Sequence, residues 1–188
     1  MSINDEDVRN AISHNFPAGK ILNTKVEDNE SDIELRVAFD FDGVIVDDES
    51  EKVYAKANQL DDFNQYESKN IHNPMHHGLL SDFFTKISYF QKLEAKKKDA
   101  DPSYQKILET AIITARSAPA HERAINTLNS WGVEVDKMFL LGGMQKARIL
   151  SVFKPHLFLD DQLAHLDKDL TNIPLVHIPF GVRNLRQE

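Results

Sequence analysis

The stretch Val37 to Asp48 reads VAFDFDGVIVDD and sets two carboxylates, Asp40 and Asp42, at the end of an apolar run. Two apart on a strand, their side chains project to the same side as the strand runs out. Burying an isolated carboxylate is costly unless it is paired, protonated or bound to a metal, so this strand end requires a partner. A second apolar run, HLFLDD (His156 to Asp161), closes on Asp160 and Asp161. Three clustered carboxylates, Asp40, Asp42 and Asp160, suit Mg²⁺, a hard ion that takes oxygen ligands and keeps several waters. With such an ion present, Asp40 can attack a phosphoryl group, because repulsion between carboxylate and phosphate is screened. Asp42 is then placed for proton transfer, first to a leaving alkoxide and later from the attacking water. A further run, TAIITAR, carries Thr114, whose hydroxyl and the following backbone N–H groups of Ala115 and Arg116 suit phosphate oxygens, with the Arg116 side chain read as a substrate contact or as a partner in surface or helix-end pairing. A lysine beyond KMFLLGG, either Lys146 or Lys154, supplies the remaining positive charge.

These residues act together only if one sheet edge collects them. Five short apolar runs, LRVAFDFD (Leu35 to Asp42), TAIITAR (Thr110 to Arg116), KMFLLGG (Lys137 to Gly143), HLFLDD and PLVHIP (Pro174 to Pro179), are each followed by a segment of helical character. That rhythm predicts a Rossmann-like α/β fold, a parallel sheet of about five to six strands with helices on both faces. In such a sheet, ligands gather at the carboxyl ends of the strands, where DFD, TAR and DD all fall. Ala124, Leu128 and Trp131 recur at helical spacing, with Gly132 as the stop. The segment Val44 to Leu108 is far longer than the dozen or so residues of a simple crossover. It is read as a helical cap over 47–108, inserted in a catalytic core of 1–46 and 109–188, with 1–34 as an N-terminal extension. Helices are expected at 48–59, 61–68 and 79–98, the last presenting Phe83, Phe84, Ile87, Phe90 and Leu93 on one face, and Asp47 or Asp48 is expected to cap the first. The short GKIL run is a candidate edge strand.

The chain of 188 residues carries a net charge of -8, 41% hydrophobic and 28% charged residues, and no cysteine. Its acidity argues against nucleic acid or an anionic membrane as partner. No apolar run approaches the roughly 20 residues of a membrane helix, and MSINDEDVRN lacks the layout of a secretory signal. A cytoplasmic location and a small-molecule substrate are the expectation, with a homo-oligomer as the only macromolecular partner allowed for.

DFDGV, a hydroxyl residue ending the second strand, a downstream lysine and a terminal DD together resemble the haloacid dehalogenase-type phosphatases. LRVAFDFDGVIVDDESE, ITARSAPAHERAINTLNSWGVEVDKMFLLGG, ILSVFKPHLFLDDQLAH and HIPFGV are similar to the cytosolic 5′-nucleotidase I family. The resemblance implies a Mg²⁺-dependent 5′-nucleotidase that releases phosphate from nucleoside 5′-monophosphates through an aspartyl phosphate. It implies Asp40 as nucleophile and Asp42 as acid/base. Asp160 is then a direct Mg²⁺ ligand with Asp40 and the Asp42 carbonyl, Asp161 a supporting residue behind it, and Thr114 a phosphate ligand. Lys146, in GGMQKARIL, matches the family's lysine better than Lys154 does. An acid at position 42 sets the chain apart from hydrolytic dehalogenases, which lack one there, and from transport ATPases, which carry threonine. Some relatives have glycine and alanine in place of Phe41 and Gly43, and family members usually carry a longer region before the catalytic block.

The rival readings are a phosphatase for another small ester, such as a sugar phosphate, and a non-catalytic nucleotide-binding module. His72, His76 and His77 have no spacing specific to zinc and read as cap surface. Phe63, Tyr66 and the cap phenylalanines read first as core, with stacking on a nucleobase as the alternative.

Overall fold

The computed structural model describes residues 1–22, 26, 29–57, 60–167 and 172–185. Its six-stranded sheet runs β1-β6-β5-β2-β3-β4, from β1 (Lys20–Ile21), β2 (Leu35–Phe39), β3 (Leu108–Thr114), β4 (Lys137–Leu140), β5 (Leu157–Asp160) and β6 (Leu175–His177). All neighbours pair parallel except β1, which lies antiparallel on β6 through Lys20↔His177 and Ile21↔Val176. The GKIL run therefore does form an edge strand. From the central β2, the chain moves one way through β3 and β4 and the other way through β5 and β6. This reversal opens a crevice beside β2 at the carboxyl edge.

Successive residues of a strand point to opposite faces, and the two apolar cores follow that alternation. Val37, Phe39 and Ile112 join one core with Phe84, Ala124 and Leu128. Ala38, Ala111 and Ile113 join the other with Leu150, Phe153 and Phe158. Strands buried on both faces explain the near-continuous apolar runs in the sequence. The first core is covered by α4 (Ser81–Ala100) and α5 (His121–Ser130), the second by α6 (Ala147–Phe153). Gly132, with φ of +62°, turns the chain out of α5 as a left-handed residue. A further helix, α1 (Asp5–Ser13), is begun by Asn4, whose side chain accepts the Glu6 N–H at 2.9 Å.

In the long segment between β2 and β3 lie α2 (Glu49–Ala57), α3 (Leu60–Lys69) and α4; the expected helical positions 58 and 59 fall outside the described residues. The chain enters and leaves the α2–α3 pair through two strands of backbone held side by side. The N–H of Asp47 donates to the His76 carbonyl at 3.1 Å, that of Gly78 to Ile45 at 2.9 Å and that of Leu80 to Val44 at 3.0 Å. A Cβ on Gly78 would lie 2.3 Å from the Val46 carbonyl oxygen, so only glycine permits this approach. Helix α4 follows outside that clasp and lies on the sheet, with Phe84 edge-on to Phe39 at 5.1 Å.

The face that α4 buries differs from the expected one. Ser81, Phe84, Ser88 and Gln91 are buried, whereas Phe83, Phe90 and Leu93 are exposed, Phe90 by 59%. Hydrogen bonding overrides hydropathy here: Ser88 Oγ accepts the Glu134 N–H at 2.8 Å, and the Gln91 amide donates to Asp136. These bonds anchor α4 to the loop entering β4.

Candidate active site

Four parallel strands deliver their last residues to one edge, and the site forms there. Asp40 follows β2, Thr114 ends β3 and Asp160 ends β5, each buried. Beyond β4, Gly142 and Gly143 take positive φ values of 56° and 86°, and the turn they make leads to Lys146 at the start of α6. The Lys146 ammonium stands 2.7 Å from Asp40 Oδ2 and 2.7 Å from Asp160 Oδ2, fully inside the protein. Lys154 instead takes a left-handed conformation at the far end of α6.

Electrostatics separate the two bridged aspartates. Burial pushes the Asp40 carboxyl up to about 7, with Lys146 opposing the shift and the charges of Asp160 and Asp42 adding to it. Burial also works against Asp160, but Lys146 and His165 outweigh it and hold that carboxyl below the usual range. Lys146 is raised despite its own desolvation, by Asp160 first and then Asp40. Asp160 Oδ1 further accepts the Gln162 N–H at 2.8 Å, and His165 Nδ1 lies 3.2 Å from it. The Asp40 Oδ1 accepts the N–H of Phe41 at 2.7 Å.

Asp42 lies in the same crevice but faces a different partner. The chain kinks there, with Gly43 at φ +71°, and both Asp42 oxygens accept from Arg116, Oδ2 from Nε and Oδ1 from Nη2, at 2.7 Å each. Of the two expectations for the Arg116 side chain, substrate contact or pairing, the structure has it paired within the protein. Thr114 Oγ1 accepts the Arg116 N–H at 3.2 Å, which leaves its own hydroxyl proton to donate.

Asp161 is wholly buried, no N–H or O–H of the described residues donates to either of its oxygens, and its carboxyl faces that of Glu51. Burial, reinforced by the charges of Asp40 and Glu51, pushes its carboxyl up to about 10. Glu51 on α2 also keeps one orphaned oxygen and rises to about 7, through burial first and the charge of Asp42 next. Orphaned buried carboxyl oxygens beside further carboxylates are what a divalent cation satisfies. Donor atoms of Asp40, Asp160 and His165 also lie within 4.8 Å of one another. The residues present therefore fit a divalent cation, with the Asp42 carboxylate turned toward Arg116. The acidic pair further along is structural: Asp47 Oδ1 accepts the Glu49 N–H at 3.2 Å, while Asp48 pairs with Lys52 and accepts the Val182 N–H.

The three cap histidines do not converge on one another. His76 lies near Asp47 and Glu49, and His77 stacks on Trp131 at 4.0 Å. Phe63 packs edge-on to Tyr54 and lies 5.5 Å from the Arg116 guanidinium. Sequence reasoning missed Glu51, Glu67, Gln162 and His165. Gln162 and His165 stand within five residues of Asp160 in DDQLAH, a signal of proximity that was available. Glu51 and Glu67 look like ordinary surface acids on amphipathic helices.

Fold and site together define a Rossmann-like α/β protein with a lysine-bridged aspartate pair at its topological switch point. The family model described as 5′-nucleotidase matches residues 1–185. Human (Homo sapiens) cytosolic 5′-nucleotidase 1B is 32% identical over 168 residues, which cover 89% of this chain and 27% of that protein. The chain belongs to the 5′-nucleotidase family, on the cytosolic 5′-nucleotidase I branch of the haloacid dehalogenase-like proteins, and spans about a quarter of the curated relative's length. No solved structure matches it. Among the described residues no helix is long and apolar enough to cross a membrane.

Proposed function

We propose that this chain is a cytoplasmic Mg²⁺-dependent 5′-nucleotidase that hydrolyses nucleoside 5′-monophosphates to nucleoside and phosphate. The observation that carries the reading is the Lys146 ammonium, buried at 2.7 Å from both Asp40 and Asp160, with Thr114 ending the strand next to β2. Asp40 attacks phosphorus, the P–O bond to the 5′-oxygen breaks, and Asp42 protonates the departing oxygen. Asp42 then takes a proton from the water that opens the aspartyl phosphate. The Thr114 hydroxyl and the Ala115 N–H hold phosphate oxygens, and Lys146 offsets their charge. Asp40, Asp160 and the Asp42 carbonyl would hold Mg²⁺, supported by Asp161, and the bound ion would supply Lewis-acid neutralisation of the phosphoryl group.

The core of 1–46 and 109–188 and the insertion of 47–108 belong to the same reading. Within that insertion, α2 and α3 cover the crevice and α4 serves as the crossover helix. The test is phosphate release with Mg²⁺ across the nucleoside 5′-monophosphates and a set of sugar phosphates. Nucleotides are the expected substrates, and turnover of sugar phosphates alone refutes the assignment. Asp40→Asn is expected to abolish turnover with the thermal transition retained; undiminished activity in that variant excludes Asp40 as nucleophile.

A further inference from the structure

Arg116 is 4% exposed, and all five of its N–H donors are engaged. Nε and one Nη2 donor form the fork on Asp42. The other Nη2 donor reaches Ser50 Oγ at 3.0 Å, while the Nη1 pair serves Glu67 and, at 3.0 Å, the Ala120 carbonyl. No donor remains for a phosphate. The guanidinium also lies 5.3 Å from the ring of Phe41, the residue between the two catalytic aspartates.

The partners of Arg116 tie this fork to the covering helices. Ser50 sits on α2 and donates to Glu67 Oε1 at 2.7 Å. Glu67, on α3, is fully buried and also accepts from Arg123 of α5 at 3.2 Å. One connected set of charge-assisted bonds thus runs from the Asp42 carboxylate through Arg116 to α2, α3 and α5. A planar fork fixes a carboxylate in orientation as well as position, which a lysine cannot do.

We propose that Arg116 is the positioning residue of Asp42: it sets the orientation of the acid/base carboxylate and links it to α2 and α3, and it does not bind the phosphate. The proposal rests on the reading of Asp42 as acid/base. An acid held away from the leaving oxygen by about 1 Å forfeits on the order of 100-fold in rate, whereas phosphate binding through Thr114 and Lys146 is untouched.

The experiment compares Arg116→Lys and Ser50→Ala with the unaltered protein. Three readouts are taken: kcat and KM for the nucleoside monophosphate turned over best, the pH profile of kcat, and the dissociation constant of inorganic phosphate by calorimetry. For Arg116→Lys, kcat is expected to fall about 10- to 100-fold, with KM and phosphate affinity within about threefold and the pH profile displaced. Ser50→Ala is expected to move kcat and its pH profile in the same sense by a smaller factor. If phosphate affinity falls in step with kcat, Arg116 is a phosphate ligand and the proposal is overturned. An unchanged kcat and pH profile in Arg116→Lys overturns it as well. Should Arg116→Lys fail to fold, Ser50→Ala decides by the same criteria. An unaltered protein inactive on every nucleotide refutes the nucleotidase reading instead; kcat and its pH profile are then read on the phosphate ester it does turn over, with the same outcomes supporting or overturning the proposal, and phosphate affinity lost in the variants overturns it.

Discussion

Asp161 offers the sharpest quantitative consequence of the site. Its carboxyl is wholly buried, receives no N–H or O–H donor from the described residues and is pushed up to about 10 from an ordinary 3.8. Between those values, the folded protein without metal keeps a proton there that the unfolded chain releases. A group raised in the folded state contributes stability that is present below its unfolded value and lost as pH rises toward the folded one. The slope for one proton is about 1.4 kcal/mol per pH unit, so from about pH 5 to about pH 7 the loss reaches about 2.7 kcal/mol. Asp161→Asn keeps the shape and removes the titration. Urea unfolding in chelator at several pH values is expected to show the variant's stability falling less steeply than the parent's, by about one proton's worth. Mg²⁺ at about a hundred times its dissociation constant adds about 2.7 kcal/mol to a protein that binds it only when folded, and Asp161→Asn is expected to gain less at the same concentration. Parallel pH dependences for the two proteins refute the assignment of a buried proton to Asp161.

Lys146→Met leaves Asp40 and Asp160 facing each other without their cation, and breaking a buried pair in this way costs about 3–5 kcal/mol. The denaturation midpoint in chelator is expected to fall accordingly, and Mg²⁺ to restore part of it. Gly43→Ala faces two obstacles: a φ of +71°, and a Cβ placed 2.7 Å from Asp161 Oδ2. The backbone alone accounts for about 1–2 kcal/mol, and the displaced Asp161 is expected to weaken Mg²⁺ binding measured by calorimetry.

Much of the framework was legible because it depends on short-range pattern. The apolar runs found at β2, β3, β5 and β6 are strands with buried residues, the run at β4 is a partly exposed edge strand, and even the two-residue edge strand at Lys20 was marked by GKIL. Helices α3 and α4 lie within about two residues of their expected limits, and α2 begins within one, shifts typical of helix ends. The face of α4 was misjudged because periodicity registers hydropathy, whereas Ser88 and Gln91 are buried by bonds to residues near 134–136.

The sequence by itself determined which side chains reach the carboxyl edge. Parallel strands align their ends, so Asp40, Thr114 and Asp160 were bound to meet there once the strands were identified. Tertiary structure alone decided how those charges are shared. Lys146 bridges Asp40 and Asp160, while Asp42 turns to an arginine 74 residues away. Glu67 is separated from that arginine by 49 residues, and nothing local distinguishes it from a solvated helix acid. Burial raises the cost of an unpaired charge, and which charges are buried together is settled only when the helices close on the sheet.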